Sequence, residues 1–530
     1  MDRVDRRTLL GAGVAAGAAA VLTGCTNAPP RRTTGPAPST GSPGGSTGRS
    51  PAPSRSVAPS SQPGPPGPHD WAALSRELDG DLLRAGEPGF RAAKRLYDPQ
   101  FDQVRPAAVV QTAGADDVAT AIRFASRHGL VVRPRSGGHS YVGASTEVGC
   151  LQVDVRRINR VHYDPASQTV TVGSGATLFD VHSALDPMGR TIPTGTCATV
   201  GAAGLTLGGG MGVEDSAYGL TCDNLVELTV VTAAGEVLTV APHRHGDLFW
   251  ACRGGGGGNV GVVTSMRLRT WPAGPTGFYF LTFSDQQAER ALAGWQSRVS
   301  RMPRSAWANL HLEASGGGVQ ARLVGVSLTG DAHAEAASMV SAVGASPIAA
   351  TITSHSHLDG VKLLAGCLGE SDGHCHLVPE GGLARAAFAA GSDVLGRPLR
   401  RRERGRLVSV VRQRGRSGRP GVVILDPLVG RTRDVGARAT AFGWRDALAV
   451  AQWYVSLPSG QAPTARRDAI GWIAAGHRAV ASSSVGGYVN YLEPGRRVAS
   501  YYGANFGLMR RIRRRYDPDG LFDSPYSVPR

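Results

Sequence analysis

The chain has 530 residues, more than one hydrophobic core supports, so two domains with appendages are expected. A formal charge of +16 raises the question of a nucleic-acid partner, but the arginines are dispersed apart from the runs 400–406 and 510–515. Neither run is interleaved with aromatic stacking residues, so no nucleic acid is expected, and a basic surface near anionic envelope polymers fits better.

The first 25 residues read as targeting. Arg6-Arg7, Thr8-Leu9-Leu10 and an Ala/Gly/Val run to Val21 look like a twin-arginine export signal, too short and too small in side chain for a transmembrane helix. Leu22-Thr23-Gly24-Cys25 resembles a bacterial lipoprotein processing box. Cys25 is therefore expected to carry lipid and to hold the protein at the outer face of the membrane, unless it is secreted. Residues 26–69 are almost wholly Pro, Ser, Gly, Thr and Arg and cannot bury enough surface to fold; they read as a linker.

The globular body is expected from about Trp71. Residues 107–111 predict a strand, and 116–128 a helix with Val118, Ile122 and Ala125 on one face and Gly129 as its stop. A second strand is expected at 130–133, and a hairpin at 228–231 and 237–240 around Ala234-Gly235. From 273 to 485, strands (321–328, 422–425) mix with Ala-rich helices such as 332–343, and the last 45 residues turn aromatic-rich. Cys367 and Cys375, eight apart in an exported chain, predict a disulfide. The histidines nearby (His355, His357, His374, His376) match no zinc spacing, and no metal is expected. Cys150, Cys222 and Cys252 read as buried thiols.

Three glycine clusters carry the chemical signal. Arg135-Ser136-Gly137-Gly138-His139-Ser140 follows a buried strand. Gly195, Gly201, Gly204, Gly208-Gly209-Gly210 and Gly212 surround Cys197, and 253–258 leads through Asn259 into the strand 260–268. Such density costs chain entropy unless backbone must approach something flat and close. Clusters beside three strands predict one extended cofactor held partly by inward-turned N–H groups. They form neither the dinucleotide Gly-x-Gly-x-x-Gly turn nor a Gly-Lys-Ser/Thr phosphate loop.

The strings 135–141, 197–212, Asp247-Leu248-Phe249-Trp250-Ala251, Tyr488-Val489-Asn490-Tyr491 and Tyr501-Tyr502-Gly503-Ala504-Asn505 together resemble the berberine-bridge-enzyme-like FAD-linked oxidases. These belong to the vanillyl-alcohol-oxidase superfamily, with its PCMH-type FAD-binding domain. The resemblance runs from about residue 101 to 530. It departs from the family pattern at Pro525-Tyr526-Ser527-Val528, at Leu508 and in 211–218.

The resemblance implies an α+β, two-domain fold. An FAD domain at 101–272 is completed by 486–530, around a substrate domain at 273–485 that contains a β-sheet. It implies covalent FAD, through the ring of His139 to the flavin 8α-methyl and through the sulfur of Cys197 to flavin C6. Arg135, Ser136, Gly137, Gly138, Ser140, Thr199 and Gly201 are implied around the pyrophosphate, with Val263 and Asn505 against the flavin or its tail. Tyr491 is implied as catalytic base, a role that requires positive charge nearby to depress its pKa. Strict strand alternation would put Tyr488 on the opposite face from Tyr491. Val200 is implied as the gate for dioxygen. The expected partners are an alcohol or sugar and dioxygen. Two alternatives stand beside this reading: a quinone-linked dehydrogenase at the membrane, and a flavin-fold binding lipoprotein without turnover.

Overall fold

In the computed structural model, which describes residues 64–458 and 463–530, the first element is the helix Pro68–Glu77. Pro68 takes an opening helical position, where its missing N–H is an orphan anyway, and Asp70 accepts the Gly67 N–H at 2.7 Å. The first helix thus begins slightly before the expected linker end. The export signal, Cys25 and most of the linker lie outside the described residues.

A four-stranded sheet comes first, in the order Asp81–Arg84, Ala108–Gln111, Leu151–Asp154, Val132–Arg135. The helix Ala115–His128 covers it with Val118, Ile122 and Ala125 buried, and stops on Gly129 at φ 64°. The strand expected at 130–133 starts two residues later. Leu130 still gives its N–H to Ala125, closing the helix, and the parallel register with Leu151–Asp154 sets in at Val132. A five-stranded antiparallel sheet follows, with Val262–Arg269 at its centre. It includes the expected hairpin, Leu225–Val231 with Val237–Val240.

Residues 276–486 supply an eight-stranded antiparallel sheet. Helices Ala288–Arg298, Arg401–Arg416 and Pro463–Val480 pack on one face of it, around Trp295, Trp453 and Trp472. Period-two alternation turns the other residues of the same strands toward the first two sheets. Leu310, Leu425 and Trp453 join the helix-side core, whereas Asn309, Asp426, Gln452 and Tyr454 line a cavity.

The chain then returns to the first domain. Val132 gives its N–H to Leu521, and Val528 gives its N–H to the Asn259 side chain, at 2.8 and 2.9 Å. Arg513, with no exposed surface, donates to Asp517 and Asp523 at 3.0 and 2.6 Å. The fold is α+β, with the first domain built from both ends of the body around the eight-stranded one. Cys367 and Cys375 are bonded as expected, and Cys150, Cys222 and Cys252 are buried thiols.

Candidate active site

All three glycine clusters border one cavity of about 350 Å³, within the usual range of cofactor and ligand sites. The loops holding Gly137 and Gly201 touch backbone to backbone. A Cβ on Gly137 would sit 2.3 Å from the Gly201 nitrogen; one on Gly201 would sit 2.1 Å from Ser136 Oγ. Ser136, Gly138 and Ser140 line the same wall. Beneath it, Arg135 donates to the Ala93 carbonyl at 2.8 Å and to Asp154 at 3.2 Å. Its Nε finds no partner among the described residues. Burial, partly offset by Asp154, lowers the guanidinium to about 10. Bare backbone, a narrow slot and an unspent buried N–H form a cradle that fits FAD.

His139 enters this cavity with its Nε2 3.0 Å from the Thr199 hydroxyl and its ring stacked on Tyr97, centroids 3.9 Å apart. Burial drives its pKa down to about 3, so the imidazole is neutral and nucleophilic. Thr199 thus acts by holding His139 and is not itself part of the lining. Val263 and Gly201 are in the lining. Cys197 is there too. Asn505 departs from its expected place. It is buried, and its amide is committed to the carbonyls of Ala437 and Thr440 at 2.8 and 3.1 Å, so it braces that loop and does not line the cavity.

Tyr491 lines the cavity but lacks the cationic surroundings that its role as base requires. Burial first, then Tyr141, Asp426, Tyr488 and Asp215, push its hydroxyl well above the ordinary value, the reverse of the expected depression. Alternation also fails here: Val489–Tyr491 is a 3-10 turn, so Tyr488 and Tyr491 both face the cavity, edge to face at 4.9 Å. Tyr488 accepts the Gly210 N–H at 3.0 Å, which ties this turn to the second glycine cluster.

One acid in the wall is not legible in the sequence. Asp426, at the end of the strand Val422–Pro427, accepts from the Asn309 amide at 3.0 Å. Burial raises its carboxyl to about 6. An acid whose pKa burial has raised, in a cleft beside the glycine loops, is a candidate for a chemical role. Around it lie Trp307, His311, Gln452 and Tyr454, which offer hydrogen-bonding tips and aromatic faces. Burial keeps His311 neutral, at about 3. Tyr526 and Ser527, where the C-terminal string departs from the family pattern, also line the cavity.

Comparison with known proteins agrees with this geometry. Residues 106–241 match the FAD binding domain family, and 487–529 match the family described as berberine and berberine like. The FAD-linked oxidoreductase YgaK of Bacillus subtilis is 27% identical over 474 residues, 86% of this chain and 97% of that protein. The (R)-6-hydroxynicotine oxidase of Paenarthrobacter nicotinovorans is 34% identical over 199 residues, 38% of this chain and 43% of that protein. Among solved structures, the xylooligosaccharide oxidase from Myceliophthora thermophila C1 in complex with xylobiose superposes with a TM-score of 0.77 at 25% identity, covering 87% of this chain and 99% of that one. BBE-like 1 of Physcomitrella patens shares the fold with a TM-score of 0.79 at 23% identity, covering 87% and 99%. The two family domains, in order and with the cradle inside the first, make this chain a member of the berberine-bridge-enzyme-like FAD-linked oxidoreductases, on the vanillyl-alcohol-oxidase fold.

Proposed function

We propose that this protein oxidises a CH–OH group of a sugar or secondary-metabolite alcohol to the carbonyl, and that dioxygen is the final acceptor and leaves as hydrogen peroxide. The flavin is held covalently through His139 and Cys197. The observation that carries the reading is Asp426, a half-buried carboxylate whose pKa is raised, in the wall of the cavity that the glycine loops enclose.

FAD, when bound, supplies the acceptor for the hydride. The chain's own residues handle the proton and the substrate's orientation. At neutral pH Asp426 is largely ionised and takes the hydroxyl proton, while Asn309 fixes its carboxylate. The phenols of Tyr491 and Tyr141 stay protonated, which suits them to donate toward a substrate oxygen. Gln452, His311 and Trp307 present the mixture of polar tips and ring faces that a polyhydroxylated ring requires. The xylobiose-bound neighbour supports the carbohydrate branch of this reading.

Export by the twin-arginine route and lipid attachment at Cys25 belong to the proposal on sequence grounds. That route carries folded proteins, so flavin is installed before export. Cys25→Ala should release the enzyme from the membrane fraction or stop its processing; an unchanged membrane fraction would remove the anchor.

The activity is tested by anaerobic mixing of the purified protein with sugars, glycosides, and phenolic and polyketide-like alcohols, followed by air. Bleaching of the yellow colour, its return in air and matching peroxide support the oxidase. Bleaching reversed by a quinone but not by air points to the dehydrogenase. Bleaching by amines and by no alcohol would overturn the CH–OH assignment.

A further inference from the structure

Away from the cavity, one cluster of charges has no part in this chemistry. His477, on the helix Pro463–Val480, lies between two carboxylates: Nδ1 is 2.6 Å from Asp393 and Nε2 is 2.8 Å from Glu493. A neutral imidazole carries a single N–H, and carboxylates only accept, so both contacts are satisfied only by the imidazolium. Arg496 completes the set, donating to Glu493 at 2.7 Å and lying 3.7 Å from Asp393. Two cations and two anions cancel. The uncharged neighbours are also accounted for. The Trp453 indole donates to Asp393 at 2.9 Å, and the Ser484 hydroxyl does so at 2.6 Å. Tyr501 accepts the Glu493 N–H at 3.0 Å.

The cluster joins three segments: the strand Ala387–Leu395, the helix of His477, and the loop that carries Glu493 two residues beyond Tyr491. Next to it, the Ser392 hydroxyl accepts the Tyr488 N–H at 3.0 Å and reaches the Tyr491 carbonyl at 3.4 Å. Arg496 donates to the Ser392 carbonyl. The backbone at both cavity tyrosines is therefore pinned to the strand that holds Asp393.

We propose that His477 is a positioning residue: as an imidazolium it clamps Glu493 to Asp393 and so sets the Tyr488–Tyr491 turn against the cavity, and loss of its proton releases that turn. Burial alone would lower the imidazole's pKa, but the bonds to Asp393 and Glu493 outweigh it and raise the value to about 9. The clamp is closed at neutral pH and opens in alkali. It does not depend on which substrate the enzyme takes.

Circular dichroism of the flavin-loaded protein reads the turn without any substrate, through the visible bands of the cofactor and the near-ultraviolet bands of the tyrosines. The wild type should show one step with a midpoint of about 9. His477→Gln should lack the step and, at neutral pH, should already show the alkaline spectrum of the wild type. His477→Lys, which keeps a cation, should restore the neutral spectrum. Glu493→Gln, a milder change if His477→Gln does not fold, should move the midpoint down by about one unit or more. A step that persists unchanged in His477→Gln, or an unmoved midpoint in Glu493→Gln, would overturn the proposal.

Discussion

Tyr141 and Tyr491 lie face to face, ring centroids 5.1 Å apart and planes 2° from parallel. The Gln452 amide donates to the Tyr141 hydroxyl, and burial holds both phenols well above their ordinary pKa. The pair comes from opposite parts of the chain, one ring from the first glycine loop and one from the C-terminal turn. It is a wall of neutral donors in the cavity that also holds Asp426, the carboxylate proposed to take the proton.

That division of labour predicts unequal losses. Asp426→Asn should slow anaerobic flavin reduction by about 10²–10⁴-fold, the usual worth of a general base. Tyr491→Phe, which removes one hydrogen bond, should cost about tenfold. The base must be ionised, so wild-type flavin reduction should fall as pH drops through about 6, and this acid limb should vanish in Asp426→Asn. Stopped-flow reduction across pH measures both. A larger loss for Tyr491→Phe, with an intact acid limb in Asp426→Asn, would return the base role to the tyrosine.

The contrast between the cradle and Asp426 shows what sequence can carry. Gly137 and Gly201 are legible because a backbone contact leaves its mark in residue type: only a missing Cβ permits it. Asp426 is one acid at the end of an apolar run, and its partner Asn309 is 117 residues away, so its raised pKa exists only in the folded protein. Tyr97 precedes the stretch that resembles the family, and nothing local reveals that it stacks on His139. Tyr488 was misplaced by an alternation rule that holds for strands, whereas the backbone turns at Val489–Tyr491. Asn505 sits in a recognisable string, but its hydrogen bonds are committed to a loop about 65 residues earlier, and no motif records that.

Gly201→Ala tests the cradle directly. The added Cβ would meet the Gly137 nitrogen at 2.2 Å as well as Ser136 Oγ, so the two loops must part. The variant should purify with little or no yellow colour. Adding Ser136→Ala should not restore it, because the backbone nitrogen remains in the way. Full flavin content in Gly201→Ala would show that the close approach is not required.

Covalent attachment is read after acid precipitation and on denaturing gels by flavin fluorescence. With bonds at both His139 and Cys197, the wild type keeps its flavin. His139→Ala and Cys197→Ala should each keep a part, and the double variant none. If His139 alone is bonded, Cys197→Ala should instead match the wild type, and His139→Ala should lose all covalent flavin. Complete release of flavin from wild-type protein by acid would exclude both bonds.

The last prediction concerns how electrons leave. Val200 lines the cavity three residues after Cys197, and its carbonyl, accepting from Leu178 at 2.9 Å, fixes the loop on which it stands. With the reduced ring beside it, a valine there would leave room for dioxygen, and a leucine would add one methylene in that space. The change is steric and apolar, so it should leave reduction by substrate untouched and slow reoxidation by air at least tenfold, about 1.4 kcal/mol on that barrier. Photoreduction followed by mixing with aerated buffer isolates this step and needs no substrate. Fast wild-type reoxidation with equal peroxide, and slow reoxidation in Val200→Leu, would fit an oxidase whose gate is this side chain. Slow wild-type reoxidation, unchanged by Val200→Leu and accelerated by a soluble quinone, would mean that the cavity excludes dioxygen by other means and that the physiological acceptor is in the membrane.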